Sequence, residues 1–229
     1  MKTQPALSRR ALYEDVAEHL RQQIFSRALE PGAWIDELQL CAELGISRTP
    51  MREALKVLAA EGLVTMKVRR GAYVTEMSEQ DVREAYELLS LLESDAAARV
   101  AAEAETDALQ ELRRLHEELE ARVDQHDAFF AANEAFHMAL LALEGNHWRQ
   151  QIVNDLRRVM KLNRHHSLFK RGRLQESLDE HRELMAAIEA GDAERTRRLM
   201  ARHFENGLAA TRVPRTAAAG ELSAGATPA

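Results

Sequence analysis

Two groups of side chains in this chain have the types and spacing to do chemistry. The first lies in GISRTPMREALKVLAAEGLV at 45–64. Gly45 permits a sharp turn, and Ser47, Arg48, Thr49 and Arg52 then crowd the first turn and a half of a helix. The opposite face of that helix, Met51, Ala54, Leu55 and Leu58, is apolar. Such a helix end suits the major groove of duplex DNA, because its amides and hydroxyls meet phosphates and its arginines reach phosphates or guanine edges. The second group is drawn from nine histidines. Phe129, Phe130, Asn133, Phe136, His137, Leu140 and Leu141 follow helical spacing, which puts Asn133 and His137 one turn apart on a buried face. Leu174, Leu178, His181, Met185 and Ile188 form one stripe, and Leu199, Met200, His203 and Phe204 form another. Three helices thus each aim an imidazole into one bundle. Their ring nitrogens need partners once buried. Backbone hydrogen bonds are one solution, and a shared divalent cation is the other.

The elements that must position these groups follow from the same patterns. Leu12, Val16, Leu20 and Ile24 mark the apolar face of a first helix. Pro31-Gly32 closes the connection after it, and a second helix over 36–44 stops at Gly45. Ser47 is placed to cap the third, with Pro50 in its first turn, and Gly62 ends it. LVTMKVRRGAYVTEM then alternates around Arg69-Arg70-Gly71 as a β-hairpin. Helix, helix, turn, helix, hairpin is the winged helix-turn-helix order. The wing carries Lys67, Arg69 and Arg70, and Gly71 lets the backbone approach DNA closely. A merely solvated basic face is the competing reading.

From Ser78 onward the chain predicts six helices, over 79–104, 107–124, 126–143, 146–169, 173–190 and 193–211. Ser78, Thr106, Asn146 and Asp192 stand as caps, and short connections imply an antiparallel bundle. The fold class is therefore mainly α: a winged helix-turn-helix over 8–76, an all-helical domain over 78–212, and a disordered tail over 213–229. The 229 residues carry a net charge of −6, but residues 1–75 hold about +2 and the rest about −8, which confines DNA contact to the head. The single Cys41 excludes a disulfide framework and suits a reducing cytoplasm, with the thiol in the core. Neither a signal peptide nor a membrane span is expected.

Residues 13–74 resemble the DNA-binding domain of the GntR family of bacterial regulators, through LEPG at 29–32, AELGISRTPMREALKVLAAEGLV at 42–64 and RRGAYV at 69–74. The resemblance implies that Arg48, Thr49 and Arg52 contact a double-stranded operator, supported by Ser47 and Gly71. Residues 78–210 resemble the FCD effector domain of the FadR-type branch, through NEAFHMALLALEGN at 133–146, DEHRELMAAIEAGDAE at 179–194 and MARHF at 200–204, and six helices point to its VanR-like division. Metal-binding members imply the ligand set Asn133, His137, His181 and His203, with Zn²⁺ expected first and Ni²⁺ or Mn²⁺ as alternatives. Asn133 is a neutral ligand where the family also uses Asp. Leu89 replaces an arginine that many FCD domains carry four residues before the position of Glu93, so Arg164, His165 and His166 are expected to supply positive charge, with Arg164 and His166 as effector contacts.

The implied function is a ligand-responsive regulator, not an enzyme, that binds a palindromic operator as a homodimer and senses an organic acid-type effector. A regulator for which the cation itself is the signal is the main rival, and a purely structural ion is another. A metal-dependent hydrolase is disfavoured because no carboxylate or other base is expected on the inward faces near the four ligands. His19, His116, His126 and His147 fall on polar faces or near loops and receive no role.

Overall fold

The computed structural model describes residues 12–105 and 107–211. The expected cap Thr106, the outer edges 8–11 and 212 of the two predicted domains, and the predicted tail 213–229 lie outside the described residues. The head contains α1 (Leu12–Phe25), β1 (Trp34–Ile35), α2 (Glu37–Leu44), α3 (Arg48–Ala60), β2 (Val64–Lys67) and β3 (Gly71–Val74). The body contains α4 (Glu79–Glu103), α5 (Gln110–Ala121), α6 (His126–Glu144), α7 (His147–Val159), α8 (Lys161–Ser167), α9 (Arg173–Glu189) and α10 (Ala193–Thr211).

Helix α2 starts where the Asp36 carboxylate accepts the backbone N–H groups of Leu38 and Gln39. Ser47 occupies the expected cap position of α3 but makes no side-chain cap hydrogen bond. The four inward residues of α3, Met51, Ala54, Leu55 and Leu58, are all fully buried. Each of the three large ones contributes about 2 kcal/mol of hydrophobic stabilisation. Val16, Leu20 and Ile24 of α1 join them, whereas Leu12 opens that helix with half its surface exposed and Ala17 takes an inward place. The sheet is antiparallel in the order β1-β3-β2, with Trp34 opposite Tyr73 and Lys67 opposite Gly71. The hairpin is as expected; β1 is an addition. Gly71 has φ +91°, and a β-carbon there would meet the indole Nε1 of Trp34 at 3.0 Å, so the head's own packing already requires glycine at this position.

In the body, a reciprocal capping box between Ser78 and Asp81 starts α4. Helix α5 begins at Gln110, after a turn, rather than at 107. The predicted fourth helix is divided in two at Met160, whose ψ of −2° departs from the helical value. The described body therefore has seven helical segments, not six, and the six-helix count behind the VanR-like division does not hold. The physical cause is that two nearby residues serve different cores: Met160 is buried in the body's main core, while Leu162 is buried in the core of the head.

That division places α8 at the joint between head and body. Glu61, just after α3, accepts from Arg21 at 2.6 Å and from Lys161 at 3.1 Å. Burial pushes its pKa up, but these two cations outweigh it and hold the carboxyl below its ordinary range. Beside it, Gly62 (φ +78°) lies so close to the end of α7 that a β-carbon would stand 2.1 Å from the Arg158 carbonyl oxygen.

Candidate functional site

The start of α3 stands clear of the molecule. Ser47, Arg48, Thr49 and Arg52 are all exposed, as are Lys67, Arg69 and Arg70 on the wing. Arg52 makes one loose ion pair, Nε to Glu37 Oε2 at 3.5 Å, with 63% of its side chain exposed. A pair of this kind contributes little and yields readily to a phosphate. The uncapped first turn of α3 leaves its amides available to an anion. Lys67 rests its ammonium 4.3 Å from the centre of the Tyr73 ring, and Arg69 takes a left-handed φ of 61° at the wing tip. Cys41 is buried as expected, its thiol directed at the Ser47 carbonyl at 3.7 Å.

In the body, α6, α9 and α10 bring His137, His181 and His203 together, with one nitrogen of each within 4.8 Å of the others. His137 and His181 are fully buried, and the His203 side chain is 12% exposed. Burial, reinforced for His137 by the Arg157 charge and for His181 by His203, pushes both pKa values well below the ordinary value, so the rings are neutral and competent as ligands. Nε2 of His137, both ring nitrogens of His181 and Oδ1 of Asn133 have no hydrogen-bond partner. Buried polar atoms left unpaired are costly in an apolar core, and a divalent cation between the three rings would satisfy His137 Nε2 and one nitrogen of His181. The donor set therefore fits a borderline transition ion such as Zn²⁺.

Beyond these candidate ligands is a layer of carboxylates, and here the expectation from sequence needs correction. Glu93 Oε2 lies 2.8 Å from His137 Nδ1, and Glu180 Oε2 lies 2.6 Å from His203 Nδ1. Carboxylates thus do stand beside the histidines. Both are committed to other partners: Arg157 donates to Glu93 at 2.7 and 2.5 Å, and Arg173 donates to Glu180 at 2.7 and 2.8 Å. Burial pushes the Glu180 pKa up, but the His203 and Arg173 hydrogen bonds outweigh it and bring it down to about 2. Each carboxylate engages Nδ1 of its imidazole and leaves Nε2 of that ring for another partner, as outer partners of metal ligands do. Sequence reasoning misses Arg157, Glu180 and Arg173. Val153, Arg157, Met160 and Arg164 share one buried face of the α7–α8 run, a spacing that marks Arg157 as internal.

A cavity of about 30 Å³ adjoins the histidines, lined by Asn133, Arg164, Arg173, Ser177 and His203 among others. That is room for roughly one water. Arg164 lines this cavity, paired with Glu134, while Leu89 is fully buried. His166 does not. It lies in a separate cleft of about 210 Å³ between head and body, 3.2 Å from the Phe25 carbonyl oxygen. Burial and the Arg27 charge lower its pKa to about 4, and burial also lowers that of His165. Desolvation disfavours the charged form of both histidines, whereas Arg173 is buried and lines the cavity beside Arg164.

A winged helix-turn-helix head with an exposed basic helix end, joined to a helical body with a buried polar centre, defines a DNA-binding transcription regulator rather than an enzyme. The sequence profile of bacterial regulatory proteins of the gntR family matches residues 12–74, and that of the FCD domain matches 84–206. The chain belongs to the GntR family, in its FCD-containing, FadR-type branch. It is 30% identical to a probable D-xylose utilization operon transcriptional repressor of Paenarthrobacter nicotinovorans, covering 91% of this chain and 92% of that one. It is 28% identical to the gluconate operon transcriptional repressor of Bacillus licheniformis, covering 87% and 85%. Among solved structures it is similar to Escherichia coli McbR/YncC, with a TM-score of 0.65 and 25% identity over 89% of this chain and 98% of that one. No helix among the described residues is long and apolar enough to cross a membrane.

Proposed function

We propose that this protein is a cytoplasmic repressor that holds a palindromic operator as a homodimer and changes its grip when a small carboxylate enters the body beside a bound divalent ion. In this reading Arg48, Thr49 and Arg52 meet the major groove, and Ser47 and the wing around Gly71 meet the backbone. Asn133, His137, His181 and His203 would hold the ion, Zn²⁺ first by donor type. Bound there, the ion would offer a Lewis-acidic position for an effector oxygen. Arg164 and Arg173, both buried and facing the cavity, would bind an acid group from the other side. The two repressor relatives of sugar and sugar-acid operons make that class of effector the first to screen.

The observation that carries this reading is α8. One helix puts Arg164 into the cavity, Leu162 into the core of the head and His166 onto the carbonyl of Phe25 at the end of α1. A ligand that widens the cavity must move Arg164, and the head moves with it. In a dimer bound to two half-sites, a small rotation of each head breaks several DNA interactions together. The small cavity also favours a second reading, in which the ion alone is the signal. Fluorescence anisotropy of operator DNA separates the two. Release by a carboxylate from metal-loaded protein, lost in Arg164→Ala, supports the first reading. A full response to metal with no organic ligand supports the second. No response to either refutes both.

A dimer needs a self-complementary apolar face. Leu88 and Leu91 on α4, and Trp148 and Ile152 on α7, are exposed on two helices that pack against each other. The double variant Leu91→Glu, Trp148→Glu is expected to sediment as a monomer and to lose at least about tenfold in operator affinity, since one half-site then binds alone. Dimeric sedimentation of that variant would place the interface elsewhere.

A further inference from the structure

Outside the centre described above, a second group of ligand-type side chains converges. His126 and Asp127, in the first turn of α6, meet His165 of α8. His165 Nε2 lies 2.8 Å and His126 Nδ1 lies 3.2 Å from the same oxygen, Asp127 Oδ1. One nitrogen of each ring and a carboxylate oxygen lie within 4.8 Å of one another. The rings are fixed before any ligand arrives. His126 stacks on Phe169 with centroids 3.6 Å apart, and His165 stacks on Phe25 at 3.8 Å. His165 is 1% exposed and His126 16%, whereas Asp127 is 79% exposed, so the group is walled by aromatic rings on one side and open to solvent on the other.

We infer that His126, Asp127 and His165 form a second binding site for a divalent transition ion, separate from the buried histidine centre. Two imidazoles and one carboxylate suit Zn²⁺, Co²⁺ or Ni²⁺ rather than Mg²⁺ or Ca²⁺, which prefer all-oxygen sets. Rigid rings lower the ordering cost of binding, and the exposed carboxylate gives the ion a path in. Coordination exchanges two N–H donors for lone pairs. Each ring proton then resides on the far nitrogen, His126 Nε2 or His165 Nδ1, and neither of these has a partner. The buried centre, by contrast, has Glu93 and Glu180 behind its ligands. Without such support, the second site binds at least about tenfold more weakly than the first.

The place of the site gives it a consequence. Phe25, on which His165 stacks, is the last residue of the head's α1, and His126 opens α6 of the body. An ion held by both α6 and α8 at that point stiffens the joint through which the head is set. This is independent of whether the buried centre responds to an organic effector.

Equilibrium dialysis of the full chain against increasing Zn²⁺, read by elemental analysis, tests the site. Wild type is expected to bind two ions in two steps. Asp127→Asn, an isosteric change at an exposed position, and His126→Ala are each expected to lose the weaker step and keep the stronger. His181→Ala is expected to do the reverse. A wild-type isotherm that saturates at one ion, or an Asp127→Asn isotherm that matches wild type, overturns the proposal.

Discussion

His181→Ala is expected to lower metal affinity by more than about 100-fold, since loss of an outer-shell partner alone costs roughly 10–100-fold. Two properties single out this histidine. It is fully buried, and neither ring nitrogen has any protein partner. A histidine kept in a core for packing finds a backbone carbonyl or a carboxylate, as His137 and His203 do on one side. An ion that binds only the folded chain stabilises it by about 4 kcal/mol at a thousandfold excess over its Kd. For a chain of this size that raises Tm by roughly 10 °C. Differential scanning calorimetry of chelated and Zn²⁺-loaded protein therefore gives a clear readout. Wild type is expected to show the shift and His181→Ala nearly none. Because the variant also empties a fully buried ring position, its chelated form is expected to melt somewhat below chelated wild type, and the readout is the metal-dependent shift within each protein. Equal metal-dependent shifts in both proteins would remove His181 from the ligand set.

The second large effect is expected at the other end of the molecule. Arg48→Ala, Arg52→Ala should weaken operator binding by about 100-fold at fixed salt, because each good arginine interaction with a base is worth roughly 1–3 kcal/mol. Both side chains are exposed, and the only ion pair of Arg52 among the described residues is the loose one to Glu37. The substitutions should therefore leave Tm within about 1 °C. An arginine that meets phosphate rather than a base has a different signature: its removal lowers affinity equally for all sequences, and the salt slope drops by about one for each phosphate no longer neutralised. Titration of operator and scrambled duplexes at several salt concentrations assigns each arginine to one class.

Much of this is legible in the sequence because helical periodicity is a strong signal. The apolar face of α3 and the stripes around His137, His181 and His203 depend only on spacing along one helix, and the structure buries them accordingly. What sequence does not yield depends on interactions between distant segments. Strand β1 is two residues long, too short to alternate, and exists because Trp34 and Ile35 pair with Tyr73 and Ala72. The interruption at Met160 has no Gly or Pro to announce it and arises where the chain passes from one core to another. Arg157, Arg173, Glu93 and Glu180 read as surface charges until their partners, 64, 7, 64 and 23 residues away in sequence, are known. His166 is misplaced by sequence for a simpler reason: residues two apart on a helix point about 200° apart, so Arg164 faces the cavity while His166 faces the head. His126 escapes notice because its partner on α8 lies far along the chain.

The proposed function depends first on the bare, basic start of α3 being the surface that reads duplex DNA. The most direct measurement is fluorescence anisotropy of a labelled duplex from the region upstream of the protein's own gene, titrated with purified wild type and with the Arg48→Ala, Arg52→Ala variant at low salt. Saturable wild-type binding that weakens steeply with salt, and about a hundredfold loss in the variant, is the predicted result. Indifference of the wild-type chain to every duplex tried, or equal binding by the two proteins, would contradict it.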